Sequence, residues 1–165
     1  MIIAEPLFIQ EAPDAPIACD MTGATDTPEE RLAEYGRLFS HALIDVERTA
    51  DAVEFRFTPK AGLAEWIADL ARREAACCPF LSYRITFTAE RVTWRTSSQA
   101  GPAAQTILDE LSTLPAQVAD GFSGLLERLG RKGIPISSPK PGLFVAEARE
   151  EKPGLLSRVK TACGC

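Results

Sequence analysis

The stretch LAEWIADLARREAACCPFLSYRITFTAERVTW, residues 63–94, changes its apolar period once, and that change decides the fold. Leu63, Trp66, Ile67, Leu70, Glu74 and Cys77 recur at three- and four-residue intervals, the spacing of one helix face. Pro79 ends that helix, because proline has no amide hydrogen to continue the ladder. Beyond it Leu81, Tyr83, Ile85 and Phe87 alternate with smaller or polar residues, and after Ala89-Glu90-Arg91 the alternation resumes at Val92 and Trp94. The period of two on both sides of a short turn predicts a hairpin. Cys77 and Cys78 fall in the last helical turn.

Upstream, Thr27-Pro28-Glu29-Glu30 carries a capping threonine, a proline at the first helical position and a glutamate at the third, which predicts a helix with Leu32, Tyr35, Phe39 and Leu43 on its apolar face. Val53, Phe55 and Phe57 alternate as a half-buried strand before the turn at Pro59 to Gly62. Downstream, Ile107, Leu108, Leu111 and Leu114 mark a third helix stopping before Pro115. The order α-β-α-β-β-α, with an apolar segment from Ile2 to Ile9 as an extra edge strand, predicts an α+β domain over 1–115: an antiparallel sheet with helices packed on one face. Residues 116–165 read as an appendage. Val118, Phe122, Leu125, Leu126 and Leu129 predict a short helix, Gly130 to Gly142 a linker, and Pro153 to Lys160 a last helix before a flexible Cys163-Gly164-Cys165 tail.

The chain has 165 residues, enough for one domain with such an appendage. A net charge of −5 and a pI near 5.0 argue against nucleic acid or an anionic membrane surface as partner. No apolar run reaches bilayer length, and Met1 to Glu5 lacks the pattern of a signal peptide, so a cytoplasmic chain is expected.

Five cysteines, an odd number set as Cys19, the Cys77-Cys78 doublet and the terminal Cys163/Cys165 pair, predict reduced thiols used for metal or redox chemistry. With a single His41, any site is built from sulfur. Adjacent cysteines do not readily pair, since a disulfide spans Cα atoms about 4.4–6.8 Å apart and neighbours are about 3.8 Å apart. The doublet therefore reads as a dithiol for a soft ion: mercury(II) first, with arsenic(III), copper(I) or zinc(II) as alternatives, Cys19 as third ligand, and Cys163/Cys165 as an arm that exchanges the ion. The bland alternatives are small buried core residues for the doublet and an incidental tail for the terminal pair. The carboxyl end of a helix, with Glu74 one turn back, disfavours free thiolates, so a ligand role is expected before a nucleophilic one.

Cys19 together with Glu74-Ala-Ala-Cys77-Cys78-Pro79-Phe80 resembles a group of small bacterial proteins that carry a Cys-Cys-x-Phe motif at a helix-to-strand junction, some of them associated with MerR-type regulators and heavy-metal resistance. The resemblance spans about residues 17–115 and implies metal or metalloid handling at Cys19, Cys77 and Cys78, with a resistance transporter, reductase or regulator as partner. The enzymatic rival is an organometal lyase or thiol reductase, in which Glu74 or Asp20 delivers a proton beside the thiols. A third reading is a metal-sensing module that docks a partner through the helix at 118–130.

Overall fold

A computed structural model describes residues 5–10 and 15–147. The elements run β1 (Leu7–Gln10), β2 (Ala18–Asp20), α1 (Pro28–Ala42), β3 (Leu43–Arg48), β4 (Ala52–Phe57), α2 (Leu63–Cys77), β5 (Ser82–Phe87), β6 (Val92–Ser97), α3 (Pro102–Gln117), a 3-10 turn (Val118–Asp120), α4 (Gly121–Arg131), β7 (Ile136–Lys140) and β8 (Leu143–Ala146). The fold is α+β. Five strands form one antiparallel sheet in the order β1-β5-β6-β4-β3, and a second antiparallel sheet has the order β2-β8-β7. No helix among the described residues is long and apolar enough to cross a membrane.

The period-two segments set the large sheet. Phe55 lies opposite Trp94, and Trp94 opposite Ile85, so one cross-strand row carries three buried apolar side chains to the helix side. Tyr35 of α1 stacks on Trp94 with ring centroids 5.6 Å apart, and Phe39 stacks on Phe55 at 5.4 Å. The intervening residues are charged and pair on the other face, Arg56 with Asp45, Glu47 and Glu54, and Arg95 with Asp51 and Glu54.

The capping box at Thr27 forms as read: the Thr27 hydroxyl accepts from the Glu30 amide at 3.1 Å, and the Glu30 carboxylate accepts from the Thr27 amide at 3.0 Å. Helix α1 nevertheless ends at Ala42, and Leu43, read as its last apolar position, opens β3 in an extended conformation opposite Phe57. That strand escapes a periodicity search because it lies at the sheet edge, with Ile44 half exposed and Leu43 and Val46 no more than partly covered. Helix α3 also departs from expectation, running through Pro115 to Gln117. A proline so near a helix end removes a single backbone bond, and Leu114, 3% exposed, holds the last turn in the core.

The largest correction concerns residues 130–142. In place of a linker the chain turns at Gly142 and makes the β7–β8 hairpin, and β8 pairs with β2 in the register Ala18 to Val145, Cys19 to Phe144 and Asp20 to Leu143. Pro139 is accommodated because β7 is an edge strand. Helix α4 forms, with Phe122 and Leu129 on its inner face, and it packs against α1 and α3. Glu110 of α3, 2% exposed, accepts from Arg128 at 2.9 Å and pairs with Lys132 at 2.6 Å, which pins α4 in place. The calls on residues 148–165, including the last helix, the flexible tail, Cys163 and Cys165, lie outside the described residues.

Candidate functional site

Cys78 caps the carboxyl end of α2. Its amide donates to the Glu74 carbonyl at 2.8 Å, its backbone leaves helical geometry (φ −116°, ψ 81°), and Pro79 follows. Gln10 of β1 fixes this turn from outside the helix: its side-chain amide donates to the carbonyls of Cys78 at 3.1 Å and Leu81 at 2.8 Å. Ser98 does the same for the next residues, donating to the Phe80 carbonyl at 2.8 Å. The turn carrying Cys78 is thus tied to β1 by Gln10 and to the residue after β6 by Ser98.

Cys19 arrives from the other sheet. Its strand is three residues long, and the pairing with β8 supplies the backbone bonds that hold it. The Cys78 thiol donates to the Cys19 sulfur, and the two sulfurs are 2.9 Å apart. Cys77 points elsewhere, as neighbours about 100° apart on a helix must. Its sulfur lies 3.7 Å from Arg31 Nη1. The fold therefore joins Cys78 to Cys19, and leaves Cys77 as a separate buried thiol on the far side of Arg31.

Arg31 divides the site. It is 4% exposed, forks onto Asp26 with two bonds of 2.7 Å, and donates to Glu74 at 2.7 Å. On one side lies an apolar cavity of about 170 Å³, into which Cys19, Cys78 and Glu74 face together with Leu32, Leu111 and Phe122. On the other lies a polar cleft containing Cys77, Asp20, Asp26 and Arg73. Arg73 extends the ion-pair network to Glu34, which also accepts from the Trp66 indole at 2.8 Å.

The electrostatics favour the protonated form of Cys77 and Cys78. The hydrogen bond to Cys19, then burial, then the nearby Glu74 carboxylate push the Cys78 thiol well above its ordinary range. Burial pushes Cys77 up, with Arg31 offsetting part of it. Burial also raises Glu74 above the usual carboxylate range against the pull of Arg31. Asp20 is different: bonds from the Thr22 hydroxyl at 2.6 Å and the Thr22 amide at 3.0 Å hold its pKa down, so it is an ionised turn carboxylate on the polar side and a poor proton donor. Of the two candidate acids, Glu74 alone shares a cavity with the sulfur pair.

Among the described residues no group of three or more His, Cys, Asp or Glu side chains converges as a metal cage. Arg31, Asp26 and Gln10 were not legible as site residues; the one available cue was the charged Glu29-Glu30-Arg31 run of the capped helix. No family model, no curated protein and no solved structure matches this chain, so function is read from the site itself.

Proposed function

We propose that this chain captures a soft thiophilic metal or metalloid ion as cargo, with mercury(II) and arsenic(III) as the leading classes, on the sulfurs of Cys19 and Cys78. The approach of those two sulfurs to 2.9 Å carries the reading, because residues 59 positions apart in sequence have been brought to one point. Thiolates without imidazole select soft ions, and coordination itself displaces the thiol proton. The raised Cys78 thiol argues against a thiol–disulfide exchange catalyst, whose attacking sulfur works best with a pKa near ambient pH. Cys77 is a reserve sulfur behind Arg31, and Cys163 and Cys165 are the donors that would pass the ion on to a resistance partner.

Mass-spectrometric titration of the reduced protein with mercury(II) and arsenite, in competition with a small dithiol, tests this. With Cys163→Ser and Cys165→Ser as background, Cys19→Ser or Cys78→Ser should each weaken binding by about 10²- to 10⁴-fold, the advantage of a second intramolecular donor. Cys77→Ser should cost far less. Unchanged affinity in the Cys19→Ser/Cys78→Ser double variant overturns the proposal.

A further inference from the structure

The sulfur pair, with Cys78 buried and Cys19 partly so, does not line the polar cleft that holds Cys77. It faces a cavity of about 170 Å³ walled almost wholly by hydrocarbon from α1, α3, α4 and the small sheet. A bare ion bound through sulfur has no use for that volume. An apolar cavity of about 150 Å³ is known to admit benzene, so the space beside Cys19 and Cys78 is the size of one phenyl or branched alkyl group.

The spacing of the sulfurs bears on the centre they hold. At 2.9 Å the two sulfurs are close enough for one small centre to bond to both, and a three-coordinate arsenic(III) centre is pyramidal. Such a centre keeps a third bond free to point away from both sulfurs.

We propose that the site takes a monoorgano-arsenic(III) species, its arsenic held by Cys19 and Cys78 and its organic group seated in the apolar cavity against Leu32, Leu111 and Phe122. This rests on the capture of a soft centre by the same two sulfurs and names the class of compound captured. In the exchange two As–O bonds of R–As(OH)₂ break and two As–S bonds form. The two thiol protons leave with the two hydroxides as water, and neither sulfur nor arsenic changes oxidation state.

The test uses the full-length chain with Cys163→Ser and Cys165→Ser, and compares phenylarsine oxide, methylarsonous acid and arsenite, each in competition with a small dithiol. The two organic probes form the same pair of As–S bonds, so their ratio isolates the organic group. The phenyl compound should exceed the methyl compound by about 10- to 100-fold beyond the ratio shown by the free dithiol, the gain expected from burying a phenyl-sized surface. Leu111→Trp, which fills the cavity, should abolish that preference while arsenite binding persists. Added benzene gives the same information without a substitution, weakening uptake of the phenyl probe and not of the methyl probe. Equal affinities for the two probes, or a phenyl preference insensitive to benzene and to Leu111→Trp, overturn this inference and leave ion capture standing. Failure of all three arsenic compounds, and of mercury(II), to bind overturns the capture reading as well.

Discussion

In the proposed site Cys78 meets two demands that usually conflict: it would serve as a ligand, and it stays protonated until an ion arrives. Its thiol is raised by the bond to Cys19, by burial and by Glu74, so alkylation should be slow at neutral pH and should still be accelerating, without a plateau, above the ordinary thiol range near pH 9. Peptide mapping of iodoacetamide-treated protein checks this; a plateau for Cys78 below pH 9 contradicts the described environment. The same proton separates the ions. Mercury(II), titrated in chloride medium where it is held as a chloride complex and not as the hydroxide, must displace it into solution, so from Cys78 alone mercury affinity should rise about tenfold per pH unit. Arsenous species carry the proton away in water, so Cys78 adds no such slope to their uptake. Titrations with each ion between pH 6 and pH 8 in weakly buffered solution, read for protons released, distinguish the two; equal release by both contradicts this account.

At the scale of elements, the site depends on pieces that local pattern could not announce. The helix and hairpin across 63–94 were legible because they bury one face at a regular period, and the capping box at Thr27 because four adjacent residues specify it. The doublet's place at the end of α2 follows from Pro79. What pattern could not decide was whether Cys19, named as a third ligand, reaches the doublet, and which of its two sulfurs it meets. Strand β2 is three residues long, and its bonding partner β8 lies more than 120 residues away behind a Gly/Pro/Ser-rich stretch with no alternation. Gly142 makes that pairing possible. It turns at φ +85°, its carbonyl accepts from the Met21 amide at 2.7 Å, and an added Cβ would come within 3.3 Å of the Met21 and Thr22 backbone. Gly142→Ala should therefore cost about 1–2 kcal/mol, the penalty for an ordinary residue in left-handed geometry, and should weaken ion binding while Cys77 remains protected. Chemical denaturation together with arsenite titration reads both effects. Arg128→Ala tests the other wall of the cavity: it leaves the buried Glu110 with Lys132 alone and should cost about 1–3 kcal/mol in the same denaturation assay. A loss below a few tenths of a kcal/mol would show that α4 is held by its apolar face and not by this ion pair.

Across the whole molecule, Arg31 ties α1, the loop before it and α2 together through two carboxylates whose protonation acts in opposite directions. Burial raises Glu74 in the folded state above its ordinary 4.5, so between that value and its raised pKa the folded chain binds more protons than the unfolded one. Stability from this group falls as pH rises through that window. The hydrogen bonds from Arg31 hold Asp26 below its ordinary 3.8, so its contribution is present above that value and is lost as pH falls through the folded pKa. Glu34 and Glu110, lowered by Arg73 and by the Arg128 and Lys132 pair, steepen the same acid limb. Stability should therefore peak on the acid side of neutrality, and the two limbs should respond to different substitutions. Urea denaturation between pH 3 and pH 8 measures it. Glu74→Gln should flatten the decline toward neutral pH, because the neutral amide keeps the hydrogen-bonding shape without the buried charge. Asp26→Asn should reduce the acid loss and leave the upper limb in place. An upper limb that survives Glu74→Gln places the buried charge elsewhere.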